Sequence, residues 1–121
     1  MLLNFTNHPC ASWGDAQLAA SRPYGEPADL PFPSVPPQAS EEEISRLADQ
    51  YMERILALKP AAVLCQGEMT RTFALVSRLL QAGVPVLAAC SERKTKEQVT
   101  SDGSTRKISL FEFCRYRAYI A

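Results

Sequence analysis

Three groups of polar residues in this chain could do chemistry together. His8 is the only histidine and follows a short apolar run; histidine exchanges protons near neutral pH. Gly67-Glu68-Met69-Thr70 and Ser91-Glu92-Arg93-Lys94 each follow another apolar run. Arg93 and Lys94 suit the charge that develops in a reaction at phosphate, and His8 or Glu68 could move the proton. Whether these groups meet depends on the elements that carry them.

The centre of the chain is typical of a strand, helix, strand unit. Ala61 to Gln66 and Val84 to Cys90 are apolar runs of strand length, and Thr70 to Ala82 repeats apolar residues at helical spacing. Gly83 marks the helix end. Strands joined by such a crossover are parallel neighbours, so their carboxyl ends lie side by side. Open α/β sheets bind ligands at that edge.

The first half of the chain supplies the remaining layers. Met1 to Thr6 predicts a strand parallel to the central pair, which brings His8 to the same edge. Ser12 to Ser21 predicts a short helix capped by Ser12. Arg22 to Gln38 is proline-rich and therefore mostly extended, with a short strand around Ala28 to Phe32. Ser40 to Leu58 opens with a capping box and carries one apolar stripe, which indicates a helix.

The last part of the chain predicts a β-hairpin. Ser101-Asp102-Gly103-Ser104 is a strong turn signal, and Lys107 to Ile120 alternates as a strand does. The alternation puts one set of side chains on a single face: Phe111, Phe113, Arg115, Arg117 and Tyr119. We expect this strand at a sheet edge or across a subunit boundary. The whole chain, residues 1–121, is then one α/β domain with a Rossmann-like, mainly parallel sheet flanked by helices.

Charge limits the kinds of partner. The net charge of +0 argues against nonspecific binding to long nucleic acid. Residues 1–68 contain four basic and nine acidic residues, and residues 69–121 contain nine basic and four acidic ones. This asymmetry fits a local anion site in the second half, or equally a solvated basic face.

The cysteines argue against a metal site, and the apolar runs argue against a membrane protein. Cys10, Cys65, Cys90 and Cys114 lack metal-ligand spacing, so we expect no metal and treat them as small buried hydrophobes. No cofactor motif stands out. No apolar run reaches membrane-spanning length and no signal peptide precedes the first strand, so we expect a cytoplasmic protein with no membrane partner.

The loop after the first central strand is the most direct candidate for binding an anion. Free backbone N–H groups at the helix start could face a phosphate, with Thr70 as the cap and Arg71 nearby. Glu68 would repel a phosphate unless it takes a hydroxyl or a base edge, or pairs with Arg93. An ordinary strand-to-helix turn explains the same spacing.

The second half resembles the small stand-alone CRISPR-associated ring nucleases of type III systems. The similarity rests on QGEMT, GVPVLAACSERK, a DG hairpin and FEFCRYRAY, with a weaker match at NFTNHP. It covers about the last 60 residues of the chain. The proline-rich segment matches nothing in that family.

The resemblance implies a homodimer that binds a cyclic oligoadenylate across its two-fold axis and cleaves it, which ends an antiviral signal. It also implies where the ligand would bind: Gly67, Glu68, Thr70, Ser91, Glu92, Arg93, Lys94, Arg115 and Arg117. To these we add Arg71 as a ligand contact and His8, Glu68 and Ser91 as catalytic candidates. Cleavage would use the ribose 2′-hydroxyl as nucleophile and no metal. A sensor or sequestering module that binds the same ligand without cutting it fits the residues equally well. A small α/β protein with another partner also fits. His8 itself could equally be a structural loop or capping residue.

Overall fold

A computed structural model describes residues 1–121, and its centre is a five-stranded sheet in the order β2-β1-β3-β4-β5. The strands are β1 (Leu2–Phe5), β2 (Pro27–Asp29), β3 (Ala62–Cys65), β4 (Val86–Val99) and β5 (Thr105–Ala118). The α-helices are α1 (Asp15–Ser21), α2 (Glu41–Leu58) and α3 (Met69–Gln81). The first four strands of that order are parallel, and β5 is antiparallel to β4. The predicted α/β fold with a mainly parallel sheet and a C-terminal hairpin is confirmed.

Strands β1 and β3 are buried on both faces, as is typical of a parallel sheet covered by helices. Alternate side chains enter two separate apolar clusters. Leu3 and Val63 pack on the side of α2 and α3, whereas Leu2 and Leu64 pack on the side of α1 with Trp13. The sheet therefore divides the molecule into an α1 side and an α2/α3 side.

The two long helices begin and end as the sequence indicates. The Ser40 side chain accepts a hydrogen bond from the Glu43 N–H at 3.1 Å, which caps α2. Gly83, just beyond α3, has a φ of 82°, the left-handed conformation expected there. Arg78 of α3 donates to Asp49 of α2 at 2.8 Å and ties the two helices together.

The first helix is shorter than predicted, and Ser12 does not cap it. Cys10–Ser12 forms a separate 3₁₀ turn, and α1 begins only at Asp15 after Gly14, without a side-chain cap. The Ser12 hydroxyl instead donates to the carbonyl of Pro9 at 2.8 Å, a local bond that competes with capping. Helix α1 is held to the sheet by the hydrogen bond between Ser21 and Tyr116, also 2.8 Å.

The strand expected to end at Cys90 continues to Val99. The segment Ser91–Lys94 is therefore strand and not a loop at the edge of the sheet, and the sequence prediction is wrong here. The cause is β5, which pairs with β4 along its whole length and gives partners to backbone groups that would otherwise end the strand. We call the projecting part, residues 91–99 and 105–112, the hairpin arm. The turn predicted at 101–104 closes it.

A bulge in β5 reverses the predicted alternation. Cys90 pairs with Arg115 but Ser91 pairs with Phe113, so Cys114 is the extra residue. As a result Phe113 lies on the α1 side, where its ring contacts Tyr116 at a centroid distance of 5.0 Å. The expectation that Phe111 and Phe113 share a face with Arg115, Arg117 and Tyr119 is wrong, because a bulge changes the face of every residue beyond it.

The cysteines differ in exposure more than the sequence suggested. Cys65 is buried, and burial raises the pKa of its thiol to about 12. Cys10 and Cys90 are half-buried and Cys114 is exposed at the bulge, so three of the four are not core residues.

None of the helices combines the length and the apolar character needed to cross a bilayer.

Candidate functional site

The chain topology singles out one position on the carboxyl edge of the sheet. From β1 the chain passes through α1 to β2 on one side, and from β3 it passes through α3 to β4 on the other. The connections that leave β1 and β3 therefore diverge. Such a switch point opens a crevice between neighbouring loops, where α/β folds bind ligands.

On the α1 side of this edge lies a cavity of about 490 Å³, which we call the α1 groove. It is formed by the loop after β1, the start of α1 and the base of the hairpin arm. Its lining includes His8, Trp13, Asp15, Ser91, Phe111 and Phe113. Two of the three predicted catalytic residues, His8 and Ser91, thus line one groove.

His8 is held in this groove by its main chain. Its carbonyl oxygen accepts hydrogen bonds from Asn4 Nδ2 at 2.8 Å and from Trp13 Nε1 at 3.2 Å, and its N–H donates to Thr6 Oγ1. Every hydrogen bond of residue 8 is made by backbone atoms, and the residue is exposed. The backbone of residue 8 is therefore fixed, and the imidazole makes no hydrogen bond within the protein that would compete with a proton transfer.

Only part of the group Ser91-Glu92-Arg93-Lys94 is brought to the groove. Side chains alternate along a strand, so Arg93 lies on the same face of the arm as Ser91. Its Nη2 donates to Ser109 Oγ at 2.9 Å across the arm. Glu92 and Lys94 alternate to the other face. Lys94 forms an ion pair of 2.9 Å with Glu112, which raises the pKa of Lys94 and lowers that of Glu112.

The loop after β3 lies outside the groove, and Glu68 is not available as a base. Its carboxylate accepts hydrogen bonds from Thr70 Oγ1 at 2.7 Å, from the Arg71 N–H at 2.8 Å and from the Thr70 N–H at 3.1 Å. These bonds, the hydroxyl of Thr70 first, hold the pKa of Glu68 below its usual value. The expected helix-start site, with Thr70 as the cap and N–H groups open to a phosphate, is wrong because Glu68 itself caps α3.

Arg71 is the most unusual residue of that loop. Only 1% of it is exposed, and burial lowers the pKa of its guanidinium. The guanidinium lies over the Phe32 ring at 3.9 Å and over the Phe5 ring at 5.1 Å. Gly67 covers it with a φ of 149°, and a Cβ there would overlap Arg71 Nη2. Gly67 is thus required by packing, a role that the sequence did not indicate.

The arginines of the final strand lie on the other side of the sheet from His8. Tyr116 packs on the α1 side, so Arg115 and Arg117 alternate to the α2/α3 side. Both are exposed, and Arg115 Nε donates to the carbonyl of Tyr116 at 3.0 Å. The predicted ligand residues therefore fall into two sets, separated by the sheet.

The residues that line the groove include several that were not predicted as site residues, among them Trp13, Asp15, Phe111 and Phe113. Trp13 could have been found from the sequence, because it is the only tryptophan and follows His8 closely. The two phenylalanines could be placed only with knowledge of the bulge.

The groove combines a free imidazole, serine hydroxyl groups and three aromatic side chains with the carboxylate of Asp15. Such a surface can hold an unpaired base against a ring and can move a proton. Arg93, two residues beyond Ser91, is the nearest predicted cation on that face. No group of three or more His, Cys, Asp or Glu side chains is arranged to hold a metal ion.

The fold and this edge define a Rossmann-like α/β domain with a projecting hairpin and a polar groove at its switch point. A family model described as "Uncharacterized protein MJ1673 family" matches residues 1–117. The chain therefore belongs to the MJ1673 family. No curated protein matches it.

Proposed function

We propose that this protein is a ring nuclease that binds a cyclic oligoadenylate and cleaves it in the α1 groove. The observation that carries the proposal is that His8, from the loop after β1, and Ser91, from strand β4, are far apart in the sequence but line the same groove. The resemblance of the second half to CRISPR-associated ring nucleases supplies the ligand class. A role in antiviral defence follows from that resemblance alone.

The chemistry that suits the groove is attack by the ribose 2′-hydroxyl on the adjacent phosphate. The hydroxyl oxygen forms a bond to phosphorus as its proton leaves to a base, and the bond from phosphorus to the 5′-oxygen breaks as that oxygen gains a proton. His8 serves as the proton-transfer residue. Ser91 and Arg93 hold the phosphate and stabilise its developing charge. The products carry 2′,3′-cyclic phosphate ends.

We also propose that the active form is a homodimer. The hairpin arm projects from the domain, and an isolated two-stranded hairpin is marginally stable in water. Phe111 on the arm is 74% exposed and Val99 near its tip is 71% exposed. A second copy that covers these side chains would stabilise the arm and bring cations to a groove whose lining contains no lysine or arginine.

A non-catalytic module that senses or sequesters the same ligand is the second candidate. One observation favours it: Glu68, the other predicted proton-transfer residue, caps α3 and lies outside the groove. His8 then has no partner from the predicted set for the second proton transfer. Binding without cleavage needs no such partner.

The decisive experiment is incubation of the pure protein with cyclic oligoadenylates of several ring sizes, with and without a chelator, followed by chromatography of the products. We expect linear fragments with 2′,3′-cyclic phosphate ends, at a rate that the chelator leaves unchanged. Tight binding with an intact ring would favour the sensor. Loss of cleavage with the chelator would contradict the metal-independent mechanism.

Assembly is tested by light scattering at micromolar concentration, with and without a ring that binds. We expect the mass of a dimer for the parent protein and a smaller mass for Phe111→Asp, which puts a charge on the exposed face of the arm. A monomer under all these conditions would contradict the dimer.

A further inference from the structure

The guanidinium of Arg71 is buried without a counter-ion. Its Nη2 donates to the carbonyl of Gln66 at 3.2 Å, but Nε and Nη1 have no hydrogen-bond partner. The ion pairs of the protein join Arg78 to Asp49 and Lys94 to Glu112, and neither involves Arg71. A buried charged donor without a partner is destabilising, and proteins keep few such groups without a function.

This guanidinium lies at the switch point, on the α2/α3 side of the edge. It is next to Phe5, the last residue of β1, and beneath Gly67, which follows β3. The crevice that should open between these two strands is covered by Phe32, whose ring lies over the guanidinium. The position where this fold binds ligands therefore holds a concealed cation.

The segment that covers Arg71 is attached to the domain by few bonds. Residues 31–39, which we call the strap, contain no helix or strand. Its only backbone hydrogen bond is internal, from the Ala39 N–H to the Pro36 carbonyl at 3.0 Å. Prolines supply no N–H donors. The strap is therefore attached to the domain mainly by side-chain contacts, such as the packing of Phe32 against the core.

We propose that Arg71 is an anion-binding residue that takes a phosphate group, and that Phe32 leaves the guanidinium when the phosphate binds. The unpaired N–H groups donate to phosphate oxygens, and arginine is the side chain best suited to such bonds. The nearest carboxylate in sequence, Glu68, cannot take this role because it is bonded to the start of α3. This inference does not depend on ring cleavage, since it concerns the opposite side of the sheet from His8.

A covered site binds more weakly than an open one, because the closed state must open first. Removal of the Phe32 ring should therefore tighten phosphate binding. If the stacking of two rings on Arg71 is instead the whole role of this residue, removal of one ring exposes the guanidinium but builds no site. The two roles predict different phosphate titrations.

The experiment is a titration with inorganic phosphate, followed by calorimetry and by the NMR signal of the Arg71 Nε–H. We expect Phe32→Ala to bind phosphate at least fivefold more tightly than the parent, with a shift of that signal. Phe32→Ala/Arg71→Met should lose the binding. Phe73→Ala, which removes an exposed ring of α3 that does not lie over Arg71, is the matched control and should behave as the parent. Equal phosphate affinity in Phe32→Ala and in the double variant would overturn the proposal.

Thermal unfolding of Arg71→Met separates a binding role from a structural one. Methionine fills the space between the rings and leaves no buried charge, so we expect an unfolding midpoint equal to or above that of the parent. Added phosphate should raise the midpoint of the parent but not of the variant. A lower midpoint for Arg71→Met, with no phosphate effect on the parent or on Phe32→Ala, would assign Arg71 to structure alone. Ring cleavage can fail while phosphate binding is found, and the reverse, so the two proposals are tested separately.

Discussion

The two sides of the carboxyl edge hold their polar residues in opposite ways. In the α1 groove, His8 is fixed by backbone hydrogen bonds and its side chain is free. On the α2/α3 side, Glu68 and Arg71 are fixed by their side chains, one as a helix cap and the other between aromatic rings. Substitutions in the groove should therefore change function and leave the fold intact. On the other side, substitution of Gly67 or Glu68 should change stability first.

The largest effect is expected for His8→Ala. General acid-base catalysis contributes about 10² to 10⁴ in rate, so the variant should lose most of the ring cleavage and keep nearly the same affinity. The fold should be unaffected because only backbone atoms of residue 8 make hydrogen bonds. Single-turnover cleavage and equilibrium binding measure the two quantities.

Asn7→Ala, next to His8 in the same exposed loop, is the control for this variant and should cleave normally. Cleavage by His8→Ala at the parental rate would remove His8 from the mechanism. A large loss of thermal stability in His8→Ala would contradict the contrast between the two sides.

Arg93→Ala should weaken ligand binding by about 1.5 to 3 kcal/mol, the range for a charge-assisted hydrogen bond to phosphate. Arg93 lies on the face of the hairpin arm that continues the groove, and in the free protein it bonds only to Ser109. Arg106→Ala removes the same charge near the tip of the arm and should weaken binding much less. Equal losses in both variants would mean that the arm contributes general charge and no specific contact.

The sequence was sufficient for the parts of the fold that depend on local signals. Ser40 caps α2 through the Glu43 N–H, Gly83 ends α3 and the turn at 101–104 closes the hairpin. These features are decided within a few residues. The parallel pairing of β1, β3 and β4 followed from their apolar character and the crossover length.

The features that were missed depend on contacts between distant residues. Ser91–Lys94 is strand because β5 pairs with it, and Phe113 faces the groove because Cys114 is extra in that pairing. Neither the length of a strand nor a bulge is visible in one strand alone. The burial of Arg71 likewise depends on Phe32 in the proline-rich strap, a segment without a periodic pattern. Sequence patterns thus predicted the edge of the sheet where His8 and Ser91 line one groove, but not the distribution of the other candidate residues between the two faces of the sheet.

Gly67→Ala should destabilise the protein by about 1 to 3 kcal/mol, because it forces a side chain onto a positive φ and into the Arg71 guanidinium. Gly83→Ala is the control, since Gly83 also has a positive φ but nothing within 4 Å of its Cβ position. The difference between the two variants in urea unfolding reports the overlap with Arg71. If Arg71→Met does not reduce that difference, the guanidinium is not what Gly67 accommodates.

The smallest effect is expected for Glu68→Gln, and it should depend on pH. The carboxylate accepts bonds from Thr70 and from the Arg71 N–H, which lowers its pKa below the usual 4.5. A lowered pKa in the folded state means that the charge stabilises the protein above about pH 4.5, and that this contribution is lost as the pH falls through the folded value. The thermal midpoint of Glu68→Gln should therefore lie below that of the parent at pH 7, and the gap should close in more acidic solution. Glu42→Gln, in the first turn of α2 but without a side-chain hydrogen bond, should show a smaller gap. A gap for Glu68→Gln that stays constant down to pH 3 would show that the charge of Glu68 is not what stabilises the start of α3.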